Sequence, residues 1–332
     1  MNRLPEEYDR VPHRELSAFV SRATRAVGLS AERADLLADL LVTNDLRGVF
    51  SHGTRLVATY AGEGYAGQMR DGDVNPDPDL EVVRETPVSV LVDGDGGLGY
   101  FPAREATRRA VEKAEERGVA AMATRNHGHF GAAANYARQA LEADLLAFVT
   151  SGHQLDLSAG DPITTAGGGS PMAFCVPAGE EESVLLDFGT MHDVYVDRSP
   201  GEEIAALAPG LVLRHLGLGA VCQSWGGLLP GLSLEGPRDY QEYEGANQGA
   251  LALFFRTDLF SDPDRFEREV DEYVRQVRDL EPLEGFEEAM LPGGPEAERE
   301  RVNRERGVPV GPDHREALEG LAADLGVESP WT

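Results

Sequence analysis

A chain of 332 residues with 41% apolar content is long enough for a large core and two domains, and that composition argues against disorder. Its 58 acidic residues against 30 basic ones give a net charge of −28, with Lys113 the single lysine, which argues against nucleic acid as a partner. Such a surface suits high salt, although a coding preference for Arg over Lys accounts for the missing lysines equally well. No apolar run reaches the ~18 residues of a membrane span, and residues 1–15 lack the apolar segment of a targeting peptide. Cys175 and Cys222, each in an apolar stretch, read as reduced core residues. A cytoplasmic protein with no membrane association is expected.

Along the chain, Leu16, Phe19, Val20, Ala23 and Val27 repeat with the spacing of one helix face over 14–28. Ser30 is placed to cap a second helix, with Leu36, Leu37, Leu40 and Leu41 on its apolar face, running out near Asp45. Ser51-His52-Gly53-Thr54-Arg55 follows. If Ser51 caps a helix, His52 and Arg55 are three apart on one face and can act on one ligand; a solvated helix start is the alternative. The turn-rich Asp71 to Pro78 marks a domain boundary.

Residues 87–93 read as a strand, and Ala106, Ala110 and Ala114 as one face of a helix. Between them, Gly94-Asp-Gly96-Gly-Leu-Gly99 is formally a dinucleotide fingerprint, but the next strand ends at Thr124-Arg125 where that fold wants an acidic residue. The strand from Gly118 to Ala123 runs into Asn126-His127-Gly128-His129-Phe130-Gly131, the expected active-site stretch. In extended geometry the rings of His127 and His129 point the same way, and imidazole can take and give a proton near neutrality. A pair of hydrogen-bonded turn histidines is the alternative.

A helix is expected over Ala132 to Ala143, and a buried strand over Leu145 to Val149 leading to Thr150-Ser151-Gly152-His153. Gly167 to Gly169 before Ser170-Pro171 form either an anion-binding loop or a hairpin loop. Asp187, in the apolar strand Val184 to Phe188, needs a hydrogen-bond partner. Leu211 to Leu232 reads as a buried helix around His215 and Trp225, its glycines suggesting close packing. Leu251 to Phe255 reads as a strand. Asp264 to Leu280 reads as an amphipathic helix carrying Phe266, Val270, Tyr273 and Val277, Glu296 to Arg306 as a solvated helix and Pro312 to Leu325 as a terminal helix.

In order, Ser51-His52-Gly53, Asp93 to Gly99, Asn126 to Gly131, Gly169-Ser170-Pro171 to Phe174, Leu186-Asp187 and Leu291 to Glu296 resemble the malate/L-lactate dehydrogenase family, which lacks a Rossmann fold. The resemblance covers residues 14 to 327 and implies an α/β fold: a mixed-sheet, non-Rossmann nucleotide-binding domain over 79–296, and a helical domain from 1–78 with 297–332 returning to it. It makes Gly94 to Gly99 a structural turn. It implies a homodimer that passes hydride between NAD or NADP and a small 2-oxo or 2-hydroxy acid. His52 would be the proton donor or acceptor, His129 a second polar group at the substrate, and Asp187 the partner that orients a histidine. Ser51, Arg55 and His127 are expected to face the substrate, although His127, like His153 and His192, stands where the family is not expected to have a histidine. Thr150, Ser151, Gly168, Gly169, Ser170, His215, Gly217 and Gly219 would lie along the cofactor.

Three positions depart from the family pattern. Leu56 stands where the carboxylate-binding Arg is usual, with Arg55 preceding it; Ser170 replaces an Asn; and His215-Leu216-Gly217-Leu218-Gly219 lacks the lysine of His-Lys-Gly-Tyr-Gly. Two other functions fit the same residues: a metal-dependent enzyme in which His127 and His129 are joined by His153, His192 or Asp187, and a relative that binds a small acid without catalysis.

Overall fold

The computed structural model describes residues 4–59, 64–190, 201–236, 238–285 and 287–331. The chain divides into two compact units, residues 1–78 with 290–332, and residues 79–289.

The first unit opens with strand β1 (Asp9–Val11) and helix α1 (His13–Ala26), which buries Leu16, Phe19, Val20 and Ala23 on one face. Helix α2 (Ala31–Leu46) starts at Ser30, whose side chain accepts the Arg33 N–H and so satisfies one of the orphan donors of the first turn. Its last turn buries Asn44 and Asp45 as completely as Leu37 and Leu41. Two short 3-10 turns, Phe50–His52 and Thr54–Val57, follow, and then α3 (Gly64–Asp71).

The second unit is built on a seven-stranded sheet. Its strands are β2 (Glu81–Thr86), β3 (Ser89–Asp93), β4 (Val119–His127), β5 (Leu145–His153), β6 (Pro171–Val176), β7 (Val184–Gly189) and β8 (Gln248–Arg256), in the order β2-β3-β4-β8-β5-β6-β7. Only β3 and β4 pair in parallel, joined by α4 (Tyr100–Arg117); the other neighbours are antiparallel. A doubly wound dinucleotide fold needs successive parallel crossovers, so this sheet is mixed and of another kind.

On one face, α4 packs Ala103, Ala106, Ala110 and Ala114, and α5 (Ala134–Leu141) packs Tyr136, Ala137 and Ala140, against Met122, Val149 and Phe254 of the sheet. Small side chains let the helices lie close, and each large one fully buried, such as Phe254, contributes about 2 kcal/mol. Helices α6 (Gly201–Leu207) and α7 (Pro209–Gln223) follow, and the end of α7 widens into a π-turn, Ser224–Leu228. The π-turn approaches β5 and β8, and α7 the 3-10 turn Ile163–Gly167, through glycine. A Cβ on Gly226 would strike the Ser151 backbone, one on Gly152 the Gly227 backbone, and one on Gly219 the Gly167 carbonyl. The close packing expected from the glycines is present, but the burial is not. Gly219, Cys222 and Gln223 are the buried positions of α7, while Leu211, Leu213, Leu218, Val221 and Trp225 are exposed. Contact made mainly through glycine, Cys222 and Gln223 shields one narrow stripe and leaves the other apolar side chains of α7 exposed.

Helix α8 (Pro263–Arg278) is capped by Asp262, which accepts the Arg265 N–H at 2.9 Å. Its buried face is Val270, Asp271 and Val274, and Tyr273, expected on the apolar face, is exposed. Asp271 lies on the buried face, its carboxylate reaching the β6–β7 turn and accepting N–H groups of Gly179, Glu180 and Glu181 at 3.0 to 3.1 Å, while Tyr273 is about 200° further round the helix. The chain then returns to the first unit with α9 (Gly294–Arg306), strand β9 (Val308–Val310), antiparallel to β1, and α10 (Pro312–Leu325). No helix among the described residues is long and apolar enough to cross a membrane.

Burial alone would raise the Asp271 carboxyl, but the N–H bonds from Glu180, Glu181 and Gly179 and the Arg275 charge hold it below the ordinary range. Its folded value lies below its unfolded one, so its contribution is complete above the ordinary carboxylate range and is lost as pH falls through the folded value. Asp271→Ala is expected to lower the unfolding free energy in urea by about 2 kcal/mol at neutral pH. The deficit against the parent should shrink on acidification.

Candidate active site

The first unit carries the His52 turn. Ser51 does not cap a helix: the turn Phe50–His52 has no side-chain cap, and Gly53 is extended between it and Thr54–Val57. Instead Ser51 Oγ lies 2.9 Å from His52 Nδ1. Asn44 Nδ2 donates to the His52 carbonyl at 2.9 Å. Beyond Gly53, the Thr54 N–H and hydroxyl both donate to Asp45 Oδ2, at 2.9 and 2.6 Å, and Thr54 Oγ1 is 3.0 Å from His314 Nε2. Burial pushes Asp45 up to about 7 against the lowering effect of the Thr54 bonds. Burial, and then the Arg55 charge, bring His314 down to about 4. Arg55 is exposed while Leu56 is buried, so the guanidinium in this turn is presented outward from the residue before the usual one.

The second unit carries the histidine stretch, and there the two rings part. Strand β4 continues to His127, past the Ala123 expected from the apolar run, with a bulge between Thr124 and His127 and Asn126 in the left-handed region at φ 54°. Extended geometry ends at His127, so the alternation that would align it with His129 does not carry through. His127 is wholly buried. Its Nδ1 donates to the Gly128 carbonyl at 2.7 Å, which leaves Nε2 to accept the Thr124 hydroxyl at 2.8 Å. Both its nitrogens are engaged within the protein, which makes His127 itself a hydrogen-bonded turn histidine. His129 is partly exposed, its ring 6.4 Å from that of Tyr100 in an edge-on arrangement.

The glycine loop before α4 is structural. The N–H groups of Gly94, Gly96 and Gly99 donate to the carbonyls of Arg125, Asn126 and His129, and that of Gly97 closes on Gly94. A Cβ on Gly94 or Gly99 would meet His127. Amides already committed to protein carbonyls cannot cradle a pyrophosphate. Asp93 completes this corner, accepting Arg125 Nε at 2.8 Å and Asn126 Nδ2 at 2.7 Å, while the Arg125 guanidinium lies over the Tyr240 ring.

Asp187 has found its partner in a helix end. Its Oδ2 accepts the Ala134 N–H at 2.8 Å, serving the start of α5, where Ala133 offers no side-chain cap. Burial pushes the carboxyl up to about 6, opposed by the Ala134 N–H and the Arg138 charge. Among the described residues its bond goes to this amide and to no histidine. His192 lies outside the described residues.

The second glycine loop is open where the first is filled. Gly168 and Gly169 are both left-handed, at φ 61° and 62°, and a Cβ on Gly169 would find its nearest neighbour 4.0 Å away. On α7, the His215 ring lies 6.2 Å from that of Phe188, and a Cβ on Gly217 would meet nothing within 4 Å. Other positions expected along a cofactor are struts. Thr150 is buried and donates to the Pro171 carbonyl at 2.7 Å, Ser151 is buried under Gly226, and Gly219 is pressed on Gly167. Ser170 is buried with Oγ 3.5 Å from Gln223 Oε1. Gln223, which sequence reasoning passed over, holds the end of β5 as a strand would: its Oε1 accepts the His153 N–H at 3.1 Å and its Nε2 donates to the His153 carbonyl. Asn44 and Asp45 were also missed, although a polar pair closing an apolar run was a readable signal. Among the described residues no group of three or more His, Cys, Asp or Glu is arranged to hold a metal ion.

The model of the malate/L-lactate dehydrogenase family matches residues 11–192 and 202–319. The L-sulfolactate dehydrogenase of Methanocaldococcus jannaschii is 27% identical over 329 residues, covering 90% of this chain and 92% of that protein. A malate dehydrogenase of Pyrococcus abyssi is 32% identical over 203 residues, covering 60% and 54%. The solved structure of malate dehydrogenase from Pyrococcus horikoshii OT3 superimposes with a TM-score of 0.83 at 24% identity, covering 98% of each chain.

Burial lowers His127 from 6.5 to about 4, against the raising effects of the Gly128 carbonyl and Asp93. Its folded value lies below its unfolded one, so the stability it contributes is complete above 6.5 and is lost as pH falls to about 4. In histidine-labelled protein its ring should remain neutral, with the proton on Nδ1, at roughly pH 5, where an unperturbed imidazole is mostly charged. A His127 signal titrating near neutrality would contradict the buried, doubly bonded ring.

Proposed function

The chain belongs to the malate/L-lactate dehydrogenase family, and from that premise we propose how its residues serve an NAD(P)-dependent 2-hydroxy acid dehydrogenase. The observation that supports the cofactor assignment best is the loop Gly168 to Ser170: two successive left-handed glycines, open at Gly169, beside the exposed apolar face of α7. Backbone bare of side chains suits a pyrophosphate, and exposed Leu211 and Leu218 with His215, on one side of α7, suit flat rings. These residues fit a nicotinamide dinucleotide, with Gly168, Gly169, His215 and Gly217 against it and Thr150, Ser151, Ser170 and Gly219 holding the backbone behind. When bound, that group supplies or takes the hydride.

The protein's own part is proton transfer and orientation. Reduction of a 2-oxo acid leaves negative charge on the carbonyl oxygen, which a nearby imidazolium stabilises and then protonates. His52 has that role, its Nδ1 fixed by Ser51 and the proton exchanged at Nε2. Arg55, exposed on the same stretch, takes the substrate carboxylate by paired charge-assisted hydrogen bonds. His129, partly exposed beside Tyr100, is the second polar group for the acid. Asp187 acts by fixing the start of α5, the helix that follows the histidine stretch. The substrate is a small malate- or lactate-like 2-oxo or 2-hydroxy acid. The working form is a cytoplasmic homodimer, and the charge of −28 is an adaptation to high salt.

Titration of nicotinamide fluorescence with NADH and NADPH, at low and high salt, tests the reading. Saturable binding of one nucleotide and its consumption with a 2-oxo acid are expected. His52→Ala should lower kcat by about 10²- to 10⁴-fold while nucleotide affinity is retained. Folded protein that binds neither nucleotide would sink the proposal.

A further inference from the structure

The backbone on both sides of Gly53 is held by two adjacent residues of one helix end. Asn44 grips the His52 carbonyl, and Asp45 grips the Thr54 N–H and hydroxyl. All three polar side chains are fully buried, as is that of Asp45's neighbour Leu46. Between the two grips there is no room for a side chain: a Cβ on Gly53 would collide with Asp45 Oδ1, which no donor reaches among the described residues. Gly53 has a negative φ, so glycine is required here for space rather than for backbone conformation. A third element closes the set, because Thr54 Oγ1 also meets His314 Nε2 on the first turn of α10. With Asp45 ionised, the bonds run in one direction: His314 Nε2–H to Thr54 Oγ1, and the Thr54 hydroxyl to Asp45 Oδ2.

A fully buried carboxylate, threonine and asparagine are costly in a small helical unit, and apolar residues of the same shape would pack there at lower cost. What the polar set provides is direction. It fixes the peptide planes before and after Gly53, and with them the Cα–Cβ vectors of His52 and Arg55. We infer that Asn44, Asp45 and Thr54 are positioning residues for His52, clamping its turn so that the imidazole is held in the orientation in which it exchanges a proton. The inference rests on the assignment of His52 as the proton-transfer group and adds residues that touch neither acid nor nucleotide.

Thr54→Val removes the hydroxyl at nearly constant shape and leaves the N–H bond to Asp45, so it is the variant of choice. Asp45→Asn keeps the shape of the carboxylate and serves as the second. Each is compared with the parent in the full chain, with carbon-labelled histidine to follow the His52 ring, identified by its loss in His52→Ala. Thr54→Val is expected to shift the His52 ring signal and lower kcat by about tenfold to a hundredfold, with KM for the acid and nucleotide affinity changed far less. Thr54→Ser, which restores the hydroxyl, should recover both the signal and kcat.

A folded Thr54→Val with a lower melting temperature but a His52 signal and kcat within about twofold of the parent would show a merely structural network and overturn the inference. If His52→Ala itself retains turnover, the proton-transfer assignment fails instead. The His52 ring signal in the folded variants then decides the clamp without reference to activity.

Discussion

Buried backbone polar groups must be paired, and in this chain the places where strands and turns end are where that obligation is hardest to meet. Each is met by a side chain or loop brought from elsewhere in the same unit. The end of β4 is tied by the amides of Gly94, Gly96 and Gly99; the start of α5 by Asp187 from β7; the end of β5 by Gln223 from α7; the β6–β7 turn by Asp271 from α8; and the His52 turn by Asn44 and Asp45. Chain ends pinned in this way keep one geometry, and the polar residues of interest sit on or next to them.

The same logic separates the two glycine-rich loops, which look alike as strings of letters. In Gly94 to Gly99 the amides face carbonyls of β4 and the stretch after it, and His127 fills the space where a side chain would go. In Gly168 to Gly169 the backbone turns left-handed twice and Gly169 is exposed. Glycine serves as packing in the first and as access in the second. No spacing rule on glycine alone separates these cases, because the difference lies in what stands opposite.

The long helices were legible because their apolar spacing is regular: α1, α2, α4 and α8 lie within a few residues of where Leu16 to Ala23, Leu37 to Leu41, Ala106 to Ala114 and Val270 place them. Strand β2 was not, since as an edge strand it buries nothing fully and carries no alternation to read. The order of motifs disclosed the family, whose model matches most of the chain. The pairing of His127 with His129 misled because it assumed a strand that ends one residue too early for the argument. Tertiary pairing left little trace: nothing about Asp187 announces an amide 53 residues away, and nothing about Thr54 announces His314.

The contact of α7 with the 3-10 turn Ile163–Gly167, and of its π-turn with β5 and β8, is backbone on backbone at Gly219 with Gly167, Gly226 with Ser151 and Gly249, and Gly227 with Gly152. Most helices ride on a cushion of side chains whose rotamers can absorb a shift of an ångström, and here it is thin, with Gln223 bonded to the end of β5 and Trp225 edge-on to Phe148. The helix, the strands and the turn at Gly167 are therefore held as one mechanical piece, with less slack to absorb a shift than side-chain packing would give. For the same reason sequence drift on this helix is channelled outward: positions such as Leu213 and Val221 are free to vary in size and polarity, whereas the glycine stripe admits no larger residue without prising the layer apart.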